Sequence, residues 1–368
     1  MAGVTRADRC PGVLRPHLAQ DGVVVRIRVP GGQTTGRALG RLSRIAQEFG
    51  SGDLQLTSRA GLQLRGLPDP VPIGFVAAVR QAGFLPSDSH ERVRNIVASP
   101  LTGLSGGAVD VRPLVASLDA ELRAEPELAW LPSRFLFVID DGRGDVSGMP
   151  FDLGYRAVDH DHGWLLIGGG DQGIPVTAVH AVEQLLDLAK QFLAASRRSV
   201  DVWHVRDLSN WIANLPGTRA IDMAHVNSAV PVGAIAGAAS VQVPLALLTP
   251  AQAISVEACA AGPVVITPSR GLVLLRAAHY LPELTAAGLI ADPASPWSAI
   301  SACVGAPFCH SALINTRAYA TALAHSGPRL PRTHVSGCER RCGAPAGVHV
   351  DLVAPTTLRL ASLVRETR

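Results

Sequence analysis

The sequence has almost no lysine, few aromatic residues and little net charge. Lys190 is the only lysine among 368 residues, so arginine carries nearly all the positive charge, and the formal net charge is +3. So small a charge argues against a nucleic-acid-binding protein, and an aromatic content of 4% leaves few platforms on which bases could stack. A guanidinium group suits carboxylates and phosphates, which it binds through two parallel hydrogen bonds. Each arginine therefore has to be judged in its own sequence context.

The sequence also lacks a convincing membrane-spanning segment and an N-terminal secretion signal. Residues 230–248 carry no charge, but Pro231, Pro244 and two glycines within them favour a buried strand over a membrane helix. A basic N-terminal region followed by an apolar stretch and a small-residue cleavage site is not found. With 47% hydrophobic and 17% charged residues, we expect two or three packed lobes in a cytoplasmic protein that does not associate with membranes.

Four of the six cysteines form two closely spaced pairs near the C-terminus. Five residues separate Cys303 from Cys309, and three separate Cys338 from Cys342. Two such pairs can present four thiolates to one centre, and the spacing favours an iron–sulfur cluster. A structural zinc site, two disulfides and reduced buried cysteines remain alternatives.

The order of predicted elements repeats within the chain. The alternating segment VVVRIRV at residues 23–29 predicts a strand, and a helix, a hairpin and a second helix follow it in a ferredoxin-like order. The same order returns from Ser240 to Arg276. Residues 58–62 then align with residues 269–272 after a one-residue shift. Duplicated half-domains usually pack about a pseudo-twofold axis, which places a site at their junction.

These patterns predict an α+β protein with four parts. The middle part contains strands, a hairpin at residues 159–163, a helix predicted at 176–195 and a further helix from Trp203. The predicted domains are a first ferredoxin-like half-domain at residues 1–86, a middle α+β lobe at 87–230, a second half-domain at 231–290 and a short cysteine-bearing lobe at 291–368.

The motifs, in this order, resemble the sulfite/nitrite reductase superfamily, whose members hold a sirohaem beside a four-iron four-sulfur cluster. The resemblance rests on LTSRAGLQLRGL, RNIVASPLTG, LPSRFLF, LLIGGG and the two cysteine spacings. It implies duplicated ferredoxin-like half-domains about a pseudo-twofold axis, with further α+β lobes that hold the tetrapyrrole. It also implies that the four paired cysteines bind a 4Fe-4S cluster, and that cations surround the tetrapyrrole at Arg59, Arg94 and Arg134. No catalytic residue can be assigned.

The second repeat resembles one branch of this superfamily through VPVGAI, VPLALLTPAQA and ITPSRGLVLL. That branch uses oxygen to hydroxylate the metal-free tetrapyrrole precorrin-3A at C20, closing a ring A γ-lactone, in aerobic cobalamin synthesis. The resemblance implies precorrin-3A and O2 as substrates and a separate reductase or ferredoxin, supplied by NADH, as the electron donor. A sirohaem-dependent sulfite or nitrite reductase is the alternative, although Leu136 stands where those enzymes have a lysine and the C-terminal lobe is short. A non-catalytic iron–sulfur or zinc protein is the second alternative.

The segment DHDHG could hold a separate mononuclear iron. His160, Asp161 and His162 supply part of the two-histidine, one-carboxylate ligand set of non-haem iron enzymes. The same residues are typical of an exposed polar turn, which is the stronger of the two interpretations.

Overall fold

The computed structural model describes residues 8–197, 201–221, 230–326, 330–345 and 347–355. In this part of the chain the strands form four sheets, which confirms the predicted α+β class. Among the described helices, none combines the length and the apolar character needed to cross a bilayer. Residues 230–248 instead contain short strands, as the sequence predicts.

The first half-domain has helices on one face of a sheet and leaves the other face free to line a cavity. In the strand at residues 22–27, Val23, Val25 and Ile27 are buried in the core, while Arg26 points to the opposite face. The elements of this half-domain are β1 (His17–Ala19), β2 (Gly22–Ile27), β3 (Gln33–Thr35), α1 (Gly36–Phe49), β4 (Leu54–Leu56), β5 (Leu62–Leu67) and α2 (Ile73–Gln81).

The middle lobe is a six-stranded sheet in the order β11-β10-β9-β8-β7-β6. The helix predicted at residues 176–195 begins later than expected, because Val176 and Thr177 pair with Gly163 and His162 in a hairpin. The helix predicted from Trp203 is a single short turn followed by five helical residues. The elements are β6 (Ile96–Ala98), α3 (Arg112–Ala124), β7 (Phe137–Asp140), β8 (Leu153–Ala157), β9 (His162–Ile167), β10 (Gln172–Thr177), α4 (Ala181–Ser196), α5 (Ser209–Ala213) and β11 (Arg219–Ala220).

The second half-domain repeats the first, and a small three-stranded sheet follows it. The elements of the second half-domain are β12 (Gly233–Ile235), β13 (Ala238–Gln242), β14 (Leu247–Leu248), α6 (Pro250–Cys259), β15 (Pro263–Ile266), β16 (Gly271–Leu274) and α7 (Leu281–Ala286). The last lobe contains β17 (Ile300–Ala302), α8 (Thr316–His325), β18 (Thr333–Ser336) and β19 (Val350–Val353), with β18 in the centre of its sheet.

The two half-domains exchange one strand each. β3 of the first half pairs with β15 of the second, and β14 of the second half pairs with β4 of the first. The equivalent helices α1 and α6 pack together, and a Cβ at Gly36 would lie only 2.5 Å from the Cβ of Ala260. A single apolar core contains residues from both halves. The reciprocal exchange gives the duplicated half-domains their pseudo-twofold relationship.

The hairpin turns of the two repeats are equivalent, although their register differs from the one-residue shift expected from the sequence. The Thr57 hydroxyl accepts a hydrogen bond from the Gly61 N–H, and the Thr267 hydroxyl accepts one from the Gly271 N–H. Both turns therefore contain three residues between the threonine and the glycine. Arg270 consequently occupies the position of Ala60, and both residues have a positive φ, 65° and 53°. The sequence alignment paired Arg270 with Arg59 because it matched identical residues instead of the turn.

Candidate functional site

A cavity of about 860 Å³ lies between the first half-domain, the hairpin of the second and the cysteine-bearing loops. Its size is within the range of pockets that hold a cofactor or a large organic ligand. The open face of the first sheet supplies one wall, where Arg26, Gln63 and Gln55 occupy adjacent register positions on β2, β5 and β4. The amide of Gln63 donates to Gln55 at 2.9 Å. The cavity therefore has a polar wall on the side away from the core.

All four paired cysteines line this cavity, as the sequence predicts for a shared centre. β17 and β18 are parallel neighbours, so their carboxyl ends meet at the same edge of the sheet. Cys303 directly follows β17, and its N–H donates to the carbonyl of Val335 on β18. Cys338 lies two residues beyond the end of β18. The parallel pairing thus brings the two distant cysteine pairs together.

The four thiols lie close enough together to influence one another's ionisation. The N–H of Gly337 lies 3.3 Å from the Cys303 sulfur and donates to it. Burial raises the pKa of the Cys342 thiol, and the nearby thiols of Cys303, Cys338 and Cys309 raise it further. Four thiolates so close together repel one another unless a cationic centre lies between them. The arrangement is therefore consistent with a bound metal cluster.

The four paired thiols are not gathered as tightly as they would be around a single bound zinc ion. A tetrahedral zinc site with Zn–S bonds of 2.3 Å would hold its sulfur atoms about 3.8 Å apart. Among the described residues, no three of these cysteine sulfurs lie within 4.8 Å of one another. All six cysteines are free thiols, so the structure contains no disulfide between the pairs. Four thiolate donors of this kind suit an iron–sulfur cluster, and a zinc ion remains the alternative.

Arg26 is a cavity residue that the sequence reasoning did not identify. It lines both the large cavity and an adjoining one of about 120 Å³, and its Nε is buried without a hydrogen-bond partner. Burial lowers the pKa of Arg26. Burial and the nearby Arg26 together lower the pKa of Arg28 to about 10. Arg26 and Arg28 lie two residues apart in the alternating segment VVVRIRV, so their side chains point to the same side of the extended chain. This pattern was the available sequence signal for a cluster of cations.

The structure brings two of the three predicted arginines together beside Arg26. The Nη1 of Arg59 donates to the carbonyl of Arg134 at 2.9 Å, and burial followed by Arg26 lowers the pKa of Arg59. The exposed Arg134 guanidinium lies 5.8 Å above the ring of Trp203. Among the described residues, no carboxylate forms an ion pair with Arg26, Arg59 or Arg134. Arg26 therefore brings positive charge to the large cavity, and Arg59 brings it to the adjoining smaller one.

The third predicted arginine, Arg94, is already bound to a carboxylate. Its Nε and Nη2 donate to the two carboxylate oxygens of Asp119 at 2.6 and 2.9 Å, and its side chain is 8% exposed. It lines the smaller cavity but not the larger one. Asp119 therefore neutralises Arg94, whereas Arg59, which lines the same smaller cavity, forms no ion pair with a carboxylate among the described residues.

The DHDHG segment forms an exposed hairpin turn between β8 and β9. One oxygen of Asp159 accepts hydrogen bonds from the N–H groups of Asp161 and His162, the usual way in which aspartate closes a turn. The side chains of His160 and His162 are 92% and 65% exposed, and neither lines the cavity. The structure therefore agrees with the exposed polar turn, which was the stronger of the two interpretations of this segment.

Three carboxylates crowd together in the middle lobe, outside the cavity. Oxygens of Asp140, Asp141 and Asp145 lie within 4.8 Å of one another. Asp140 accepts four backbone N–H bonds, and Asp141 binds Arg143. Burial, and after it repulsion from Asp140, raises the pKa of Asp145 to about 6, against the opposing effect of the Ser99 hydroxyl.

Asp145 is expected to make stability depend on pH. The pKa of Asp145 in the folded protein lies above the usual value of 3.8. The contribution of Asp145 to the free energy of unfolding is therefore complete below about pH 4 and is lost as the pH rises from about 4 to about 6. Asp145→Asn keeps the acceptor for Ser99 and should be about 1–3 kcal/mol more stable than the parent at pH 8. Urea unfolding from pH 3.5 to pH 8 measures the difference. An equal gain for the variant at pH 3.5 would contradict the assignment.

Comparisons with known proteins agree with the fold. Residues 16–70 match the family described as the nitrite/sulfite reductase ferredoxin-like half domain. The chain is 26% identical to a precorrin-3B synthase from Sinorhizobium sp., covering 95% of this chain and 81% of that protein. It is 25% identical to a ferredoxin–nitrite reductase from Synechococcus elongatus, over 90% of this chain and 76% of the relative. The structure of Mycobacterium tuberculosis NirA superposes with a TM-score of 0.69 at 18% identity, covering 87% and 69% of the two chains.

Proposed function

Because this chain has the fold of the sulfite/nitrite reductase superfamily and resembles its members over most of its length, we propose that it is an oxidoreductase acting on a bound tetrapyrrole. Specifically, we propose the reaction of precorrin-3B synthase, the oxygen-dependent hydroxylation of precorrin-3A at C20 with closure of the ring A γ-lactone. Cys303, Cys309, Cys338 and Cys342 would hold a 4Fe-4S cluster at one end of the cavity.

The observation that carries this proposal is the charge of the cavity. Arg26 faces the large cavity and Arg59 faces the adjoining smaller one, and neither forms an ion pair with a carboxylate among the described residues; Arg134 lies beside Arg59. Leaving cations desolvated and unpaired is costly unless an anionic ligand completes the site. Precorrin-3A carries acetate and propionate groups around its rim, so several guanidinium groups can bind it at once.

The chain's own residues would bind and orient the macrocycle. Arg26 and Arg59 would hold carboxylates at the wall formed by the first half-domain. The hydrogen-bonded pair of Gln63 and Gln55 presents a fixed polar surface beside them. The cysteine loops close the opposite end, which brings the macrocycle close to the cluster.

The proposed reaction needs two electrons in addition to oxygen. One oxygen atom enters the substrate, and the other leaves as water after accepting two electrons and two protons. When bound, a 4Fe-4S cluster supplies electrons singly, which the activation of O2 requires. We propose that a separate reductase or ferredoxin delivers them from NADH, and that the reaction takes place in the cytoplasm, where the thiols stay reduced.

A sirohaem-dependent sulfite or nitrite reductase is the alternative, favoured by the similarity to the Synechococcus nitrite reductase. The main observation against it concerns Leu136, at the position where the resemblance leads us to expect a lysine. This side chain is 1% exposed and packs in an apolar cluster with Val97 and Val138. A site that passes six electrons and several protons to a small anion would lack that cation.

The absorption spectrum and metal content of anaerobically purified protein test the proposal. We expect about four irons and four sulfides per chain, a broad charge-transfer shoulder, no sirohaem bands and a spectral change on addition of precorrin-3A. Conversion of precorrin-3A to the hydroxylactone under O2, followed by mass spectrometry, would establish the reaction. Intrinsic sirohaem bands would assign the protein to the reductases, and zinc without sulfide would exclude both enzymes.

A further inference from the structure

Arg270 occupies an unusual position in the hairpin of the second half-domain. Its φ of 65° lies in the left-handed region, which residues with a Cβ rarely adopt. The equivalent turn of the first half-domain places Ala60 there, a residue with little side chain to use. The turn itself does not require an arginine, since glycine or a small residue would suit this position better.

The Arg270 guanidinium projects from this turn into the large cavity, where it forms one hydrogen bond. Its Nη2 donates to the carbonyl of Gly343 at 2.8 Å. Within the described part of the chain, no carboxylate is paired with it. Burial, and then the nearby Arg332, lowers the pKa of Arg270. Like Arg26, it is a desolvated cation whose remaining N–H groups have no anionic partner.

The bond to Gly343 connects Arg270 with the cysteine loops. Gly343 directly follows Cys342, and both line the cavity beside Arg270. The guanidinium therefore contacts the loop that carries a cluster ligand and also faces the space where the macrocycle would lie. Arg26 approaches that space from the first half-domain, whereas Arg270 approaches it from the second.

We propose that Arg270 binds a carboxylate of the tetrapyrrole while it holds the Gly343 carbonyl, and so couples occupancy of the cavity to the electronic state of the cluster. This inference rests on the proposed function, because it requires an anionic macrocycle and a cluster in the same cavity. Arg270 is a positioning residue for the cluster loop and a binding residue for the substrate. When the carboxylate binds, it partly neutralises a cation next to the Cys342 end of the cluster, which makes the cluster harder to reduce.

The test uses holoprotein with its cluster and uroporphyrin III, a stable metal-free tetrapyrrole with eight carboxylates, as the probe. The variants are Arg270→Gln, which removes the charge, and Arg270→Lys, which keeps it but loses the planar fork. Arg276→Gln is the matched control, because Arg276 also has a positive φ of 58°, lies exposed in the same half-domain and donates to the carbonyl of Ala261. Porphyrin absorption gives the Kd, and redox titration followed by EPR gives the midpoint potential of the cluster with and without probe.

In the parent protein we expect the probe to lower the midpoint potential. Arg270→Gln should weaken binding by roughly ten- to a hundredfold. It should also have a lower potential without probe and show little further change at saturation. Arg270→Lys should bind with intermediate affinity, and it carries the test if the glutamine variant does not fold. Arg276→Gln should behave as the parent.

Two different failures can be distinguished. If the parent binds the probe and Arg270→Gln binds it equally well with the same change in potential, this inference is wrong and the proposed function stands. If the parent holds a cluster but binds no porphyrin, the proposed function is wrong, and the inference fails with it.

Discussion

Replacing Arg26 with glutamine is expected to weaken tetrapyrrole binding by roughly ten- to a hundredfold without lowering the stability of the protein. The Arg26 guanidinium faces the cavity, its Nε is buried without a partner, and no described carboxylate neutralises it. Removing it costs a ligand contact but relieves the desolvation of an unpaired cation. Titration with uroporphyrin III and urea unfolding of the same preparation would measure both effects.

Arg94 supplies the comparison, because it is a more deeply buried arginine that is paired with a carboxylate, whereas Arg26 is not. Arg94→Gln leaves the Asp119 carboxylate with only the 3.3 Å contact to Arg123. We expect the free energy of unfolding to fall by about 2–4 kcal/mol, while binding changes less than in Arg26→Gln. If Arg94→Gln instead bound the tetrapyrrole weakly at unchanged stability, while Arg26→Gln lost stability but not binding, Arg94 and not Arg26 would be the substrate-binding residue.

Replacing Cys338 with alanine should abolish assembly of the iron–sulfur cluster. In the proposed cluster, the two cysteine pairs that follow parallel strands would supply the four ligands, and losing one would leave an iron without its thiolate. We expect the iron and sulfide content to fall from about four each to a small residue, with loss of the charge-transfer shoulder. Iron and acid-labile sulfide analysis after anaerobic purification gives the measurement.

Cys259→Ala is the control for that experiment. Cys259 is 5% exposed at the end of α6, inside the apolar core and away from the cavity, and alanine fills nearly the same space. This variant should retain its full iron content. Unchanged iron in Cys338→Ala, or one zinc per chain in the parent that disappears in the variant, would show that the four thiols do not bind an iron–sulfur cluster.

The parts of the site that were predictable from the sequence are those set by local spacing. The two cysteine pairs could be assigned to one centre because their members lie so close in sequence, although only the parallel pairing of β17 and β18 shows how the pairs meet. The alternation in β2 predicted which residues enter the core. It did not show that the opposite face lines a cavity, since an alternating polar residue is more often exposed to solvent, so Arg26 was overlooked.

The sequence interpretation missed features that depend on contacts between distant parts of the chain. Arg94 and Arg59 look alike in sequence, but Asp119 lies 25 residues after Arg94 and reaches it only after α3 has folded against β6. Arg270 was aligned with Arg59 because identical residues were matched, whereas the hydrogen bonds of Thr57 and Thr267 define the true register. The predicted domain boundaries remain a prediction, and the sequence did not indicate that the two half-domains exchange strands.

The strand exchange determines when the protein can fold during synthesis. β4 has no neighbour on one side until β14 is available, and β15 likewise needs β3, which is made much earlier. The sheet that forms the polar wall of the cavity therefore cannot be complete until residue 248 has left the ribosome. At about 5–20 residues per second, the open edge of β4 is exposed for roughly ten seconds or more. A cell making this protein would then depend on chaperones, or on the early packing of α1 and α2, to keep nascent chains from pairing with one another.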